Sequence, residues 1–220
     1  MKNDSILACL FLSLLSCPGA GNAAGEPGQY RVVGGESEVN ILVFRAGSLG
    51  RFGHNHVVTA RQITGCVTVG ETAADSSLEL SLPVEELAVD DPESRAAAGS
   101  SFESDVSEKD RAGTRHNMLG EKLLDSEQYA QVGIRSTRIT GEFSDMTVTA
   151  EIDIRGEHHE VELPVSATFY EDRLVATGRA RLSHGDLGLE PFTAGFGTLR
   201  VADELVFDYR VVAARSAPGD

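Results

Sequence analysis

The stretch Met146-Thr147-Val148-Thr149-Ala150-Glu151-Ile152-Asp153-Ile154-Arg155 alternates apolar and polar side chains almost without a break. Val148, Ala150, Ile152 and Ile154 fall on one face, and Thr147, Thr149, Glu151, Asp153 and Arg155 on the other. A period of two is the mark of a strand with one face buried. Gly156-Glu157-His158 is read as the turn that follows, after which Val161, Leu163, Val165, Ala167 and Phe169 line one face of a return strand. Glu171-Asp172-Arg173 turns again, and Leu174, Ala176, Gly178, Ala180 and Leu182 extend the inward set. Near the end, Leu199 and Val201 lead through a predicted turn at Ala202-Asp203-Glu204 into Leu205, Phe207, Tyr209 and Val211. Short turns between neighbouring strands make a meander.

Upstream, the segments 38–44, 54–60, 63–69 and 77–82 read as four further strands. Eight or so strands in sequence order predict an all-β fold, an antiparallel up-and-down β-barrel. Between Glu85 and Gln131 the alternation fails, and Ala96-Ala97-Ala98, Glu108-Lys109-Asp110 and the segment 119–124 suit short helices. An insertion of that length in a compact barrel is expected to be functional or to act as a cover. No linker or repeat divides the chain, so residues 29–215 form one barrel domain.

The first 24 residues read differently. Lys2, an apolar run from Ile6 to Leu15 and the small-residue stretch 18–24 follow the order of a secretory signal peptide, cleaved after Ala23 or Ala24. The apolar run is about half the ~20 residues that span a bilayer, and no later segment approaches that length, so no transmembrane span is expected. The protein is therefore placed in the periplasm or outside the cell. In the alternative, Leu14-Leu15-Ser16-Cys17 is a lipobox and the protein is a lipoprotein anchored through Cys17. Cleavage at Ala23 or Ala24 leaves Cys66 alone, which excludes an internal disulfide. Cys66 is expected to be a small buried apolar side chain. A domain of about 195 residues can bury a core without cross-links.

Nineteen Lys and Arg against 34 Asp and Glu give a net charge of −15. An acidic chain without a basic stripe is not a nucleic-acid binder. The fingerprints of a hydrolase elbow, phosphate loop, metalloprotease or dinucleotide site are absent, and neither catalytic residues nor a cofactor are expected. The inward residues of the later strands are often small, and the chain has no Trp. A barrel of about eight strands is either filled by side chains or holds one small ligand, and the pattern alone leaves both open.

Several segments carry a resemblance to a known family. They are Tyr30-Arg31-Val32, the alternating 37–44 strand, Gly53-His54-Asn55-His56, Asn117-Met118-Leu119-Gly120, Leu124-Asp125-Ser126-Glu127-Gln128-Tyr129 with Ile134-Arg135-Ser136, Ile152-Asp153-Ile154-Arg155-Gly156, and Ala180-Arg181-Leu182-Ser183 with Asp186-Leu187-Gly188. In order and spacing they resemble the YceI family over nearly all of the chain after residue 29. Tyr129-Ala130 where the family has Tyr-Pro, and paired histidines in the second strand rather than one in the first, mark a divergent member. The resemblance implies an exported barrel of lipocalin-like architecture that binds a long-chain isoprenoid or similar amphiphilic lipid. Transport or sequestration without catalysis is the expected function, and a homodimer is an open assembly state.

The large apolar residues Phe44, Phe52, Met118, Leu119, Phe143, Phe169, Phe192 and Phe196 are candidates to surround the ligand. Gly178 and Ala180 are expected to leave room for it. Met118 and Leu119 stand out because the insertion that carries them is otherwise polar. His54 and His56, two apart in a predicted strand, project to one face. They are candidate ligand-binding residues at a barrel mouth. Alternatively they are metal ligands in a metal-binding or redox-accessory barrel, although no third ligand stands at a recognised offset. His158-His159 falls in a predicted turn and is read as a solvated pair.

Overall fold

The computed structural model describes residues 27–216. The predicted signal peptide and the Cys17 lipobox lie outside them. Twelve strands form one sheet: β1 (Gly28–Val32), β2 (Glu38–Ala46), β3 (His56–Ala60), β4 (Thr64–Val69), β5 (Ser77–Pro83), β6 (Ala88–Val89), β7 (Gln131–Glu142), β8 (Asp145–Ile154), β9 (Glu157–Phe169), β10 (Arg173–Ser183), β11 (Thr193–Ala194) and β12 (Leu199–Arg215). Two helices, α1 (Pro92–Ala97) and α2 (Glu108–Leu119), sit between β6 and β7.

The order β1-β4-β5-β7-β8-β9-β10-β12, with β12 returning to β1, closes an antiparallel barrel of eight staves. Full closure leaves the ring without a free edge. Three staves are broken strands: β2 continues the line of β1 along β12, β3 extends β4, and β6 extends β5. The neighbouring β-hairpin of β8 and β9 turns on Arg155 and Gly156, both at positive φ, and pairs Ile154 with Glu157. Positive φ at both central residues is the turn whose twist matches the flanking strands. Glu157 and His158 therefore belong to β9 and not to a turn.

Other boundaries also differ from the reading of the pattern. Ala202-Asp203-Glu204 is not a turn, because β12 runs unbroken and absorbs the extra residues as a bulge between Val201 and Leu205 opposite β2. The helical segment near 119 is α2, which ends at Leu119, while residues 120–124 turn back toward β7. Ser107 caps α2 by accepting from the Asp110 N–H, and Asp91 caps α1 by accepting from the N–H groups of Glu93 and Ser94. Such caps satisfy donors that the helix leaves free at its start.

The core follows strand parity. Met146, Val148, Ala150, Ile152 and Ile154 are all buried. Outside the barrel a second apolar cluster joins Leu42, Val57, Val206 and Phe102, with Phe44 packed against it. The segment between α1 and α2 thus covers the outer face of β2, β3 and β12. Cys66, expected inside, is exposed on β4, since Val67 and Val69 take the inward positions.

Candidate functional site

The barrel is hollow. A cavity of about 410 Å³ runs through it, within the size range of small-molecule sites. Val39, Ile41 and Val43 from β2 face Val148, Leu163 and Val165 from β8 and β9 across it. Ala167 of β9 and Ala176 of β10 pair directly across the ladder and both line the cavity, so two small residues meet where bulk would fill the space.

The two ends differ in character. At the β1 end the wall carries Val67, Val69, Phe143 and Phe169, whose two rings meet edge to face with centroids 5.0 Å apart. At the other end stand His56, Thr114, Asn117 and His184. Register places them together: Leu182, Leu205, Val43 and His56 form one row across β10, β12, β2 and β3, and His184 lies just beyond that row. Thr114, Asn117 and Met118 come from α2, so the insertion covers this end of the barrel.

His56 is fixed by a buried charged group. Its Nδ1 lies 2.6 Å from Oδ2 of Asp90, which is 1% exposed. Oδ1 of Asp90 accepts from the Val57 N–H at 3.0 Å and from Arg95 Nη1 at 2.5 Å. Arg95 is held in turn by the carbonyls of Asn55, Phe102 and Ser104. Burial pushes the Asp90 carboxyl up, but hydrogen bonds from His56, Val57 and Arg95 outweigh burial and hold its pKa below the ordinary value. Asp90 sits at φ +55°, a conformation that Asp tolerates better than most residues. His184, 5% exposed, is fixed in a similar way, with Nδ1 2.9 Å from the Asp203 carbonyl oxygen.

Of the residues singled out from sequence, His56, Met118, Phe143, Phe169 and Phe192 line the cavity. Phe192 is 38% exposed and so stands at its rim. The others lie elsewhere. Phe44 points outward and packs on Phe102, because Val39, Ile41 and Val43 claim the inward parity of β2. Phe52 is 65% exposed with Arg51 over its ring, and Phe196 is fully exposed in a turn. Leu119 is buried in the core beyond the cavity wall.

Gly178 and Ala180 do not line the cavity either. Ala180 is buried at 5% exposure. At Gly178 a Cβ would lie 2.1 Å from the Pro164 carbonyl oxygen and 2.4 Å from the Tyr209 ring. The glycine makes room for Tyr209, whose hydroxyl donates to that carbonyl at 2.5 Å. This occurs where the β9–β10 ladder stops, after Thr177 pairs with Ser166.

His54 precedes β3 and does not share the cavity with His56; the two rings stand 6.2 Å apart. The Nδ1 of His56 is committed to Asp90, and among the described residues no three His, Cys, Asp or Glu side chains gather as a metal set. His158 is exposed, but His159 turns inward and rests against Gly188, so the pair is not jointly solvated. Asp90 is the residue that sequence reasoning missed. It lies 34 positions from His56 and shares no motif with it.

A family model of the YceI-like domain matches residues 30–213, the whole of the barrel apart from its first and last few residues. This chain belongs to the YceI-like family. Solved YceI-like folds agree with the architecture. Burkholderia cenocepacia BcnA is similar at 15% identity with a TM-score of 0.60, covering 83% of this chain and 99% of that one. A Campylobacter jejuni YceI protein is similar at 8% identity with a TM-score of 0.53, covering 73% of this chain and 85% of that one. No curated protein gives a significant sequence match. Among the described residues no helix is long and apolar enough to cross a membrane.

Proposed function

We propose that this YceI-like protein binds a long-chain isoprenoid or similar amphiphilic lipid inside the barrel and carries or sequesters it without chemical change. The observation that carries the reading is the hollow, apolar interior of about 410 Å³. Each buried methylene contributes about 0.8 kcal/mol, so ten of them supply about 8 kcal/mol before the entropy of ordering the chain is set against it. From the row of His56 to the row of Leu174, β12 advances from Leu205 to Ala213. At about 3.3 Å per residue and a strand tilt near 40°, that is roughly 20 Å of barrel axis, a length suited to an extended chain. The four polar residues at one end suit a head group.

The site residues we assign to the ligand are His56, Met118, Phe143, Phe169 and Phe192 of the original candidates, joined by Ala167, Ala176, Thr114 and Asn117. The leader-like first 24 residues support a periplasmic or secreted location, with anchoring through Cys17 as the alternative. Titration of delipidated protein with a fluorescent long-chain probe, followed by displacement with a polyprenyl lipid, tests the function. Saturable binding of one lipid per chain is expected. Failure to bind any long-chain amphiphile removes the reading.

A further inference from the structure

We propose that the histidine end of the cavity is a subsite for a hydroxyl group, with His56 Nε2 as the acceptor, so that the preferred ligand is a long-chain alcohol. The inference rests on the lipid-binding reading and specifies the chemistry of the ligand's head.

The argument begins at Asp90. Its carboxylate is buried and receives the Val57 N–H and Arg95 on Oδ1, so Oδ2 faces His56 as an acceptor. An ionised carboxylate has no hydrogen to give, and Nδ1 of His56 must therefore carry the proton between them. In a neutral ring the other nitrogen, Nε2, is then a lone-pair acceptor. Its hydrogen bond to Thr114 Oγ1 is long, at 3.5 Å, and therefore weak. The acceptor is thus left for whatever enters the cavity that His56 lines. His184, the other imidazole in the wall, has its Nδ1 on a carbonyl oxygen and so holds the same tautomer when neutral.

A ligand that donates a hydrogen bond satisfies this end, whereas an ether or a carboxylate brings only acceptors to meet an acceptor. A carboxylate would also stand near the buried charge of Asp90. An alcohol fits on a second count, because its oxygen can accept in return from the Thr114 hydroxyl or the Asn117 amide.

The test compares geranylgeraniol, its methyl ether and geranylgeranoic acid on delipidated protein at pH 8, by displacement of one fluorescent probe. Wild type is expected to bind the alcohol about tenfold more tightly than the ether, the size of one hydrogen bond. In Asp90→Asn, Oδ1 keeps its donors and the amide NH2 faces His56. The imidazole proton then moves to Nε2, and the preference for the alcohol over the ether is expected to vanish or reverse. In His56→Leu the two are expected to bind within about twofold of each other. Equal affinity of wild type for alcohol and ether overturns the subsite while leaving the carrier reading standing, as does a preference that survives in His56→Leu. If none of the three compounds binds, both readings fall together.

Discussion

Replacing Asp90 by alanine removes the acceptor of three donors at once. The Val57 N–H and the His56 Nδ1–H have no other partner, while Arg95 keeps the carbonyls of Asn55, Phe102 and Ser104. Each buried donor left unsatisfied costs about 1–3 kcal/mol, and breaking a buried charged pair from one side costs about 3–5 kcal/mol. Alanine also tolerates the positive φ of this position less well than Asp, which adds about 1 kcal/mol. A loss of at least about 4 kcal/mol is expected, read as a fall in Tm of at least about 8–16 °C for a domain of this size. The loss has a pH signature. The Asp90 pKa is lowered in the fold, so its contribution is fully present above the unfolded carboxyl pKa of about 3.9 and disappears as pH falls through the folded value. Urea melts of both proteins at pH 7, 5 and 3.5 should show a gap that is narrower at pH 3.5 than at pH 5. A gap below about 1 kcal/mol at pH 7 would refute the view that Asp90 organises the histidine end.

Three further outcomes follow from the barrel wall. Ala176→Phe should project a ring into the cavity, lowering lipid uptake about tenfold or more while changing the stability of delipidated protein by less than about 1 kcal/mol; a loss of about 1–3 kcal/mol in urea melts would indicate a packed interior instead. Gly178→Ala should destabilise by about 3 kcal/mol, because the added Cβ meets the Pro164 carbonyl at 2.1 Å and the backbone cannot give way; a melt matching wild type would contradict that contact. The Tyr209 phenol is pushed up to about 12 by burial and by the Asp208 charge, so ultraviolet titration should show one of the four tyrosines ionising late, a phase absent in Tyr209→Phe. The stability that Tyr209 contributes is present below the unfolded value near 10 and lost as pH rises above it.

Much of the barrel was legible because each stave writes its parity into the chain. Val148, Ala150, Ile152 and Ile154 face inward as read, and the strands follow one another in sequence order. Parity also held answers that were not taken from it. Counting back from Val161 places His159 inward, counting from Val43 places Phe44 outward, and counting from Val67 places Cys66 outward. The hollow interior was out of reach, since it depends on how side chains from opposite walls meet. Gly178 shows the difficulty. It shares the parity of Ala176 on β10, but Tyr209 from the neighbouring strand packs against it, and the cavity is lined instead by Ala167 and Ala176. The Asp90–His56 pair depends on the β3–β6 pairing and on a left-handed residue just after β6, neither of which leaves a periodic trace.

The central claim is that the barrel holds a lipid, and the most direct measurement is of what it holds when isolated. Protein purified in folded form from a membrane-containing host is extracted with organic solvent, and the extract is compared by mass spectrometry with that of Ala176→Phe prepared in parallel. One amphiphilic long-chain lipid per wild-type chain, depleted in the variant, is the predicted result. Repeated recovery of lipid-free wild type that also takes up no polyprenyl lipid when offered it would contradict the account.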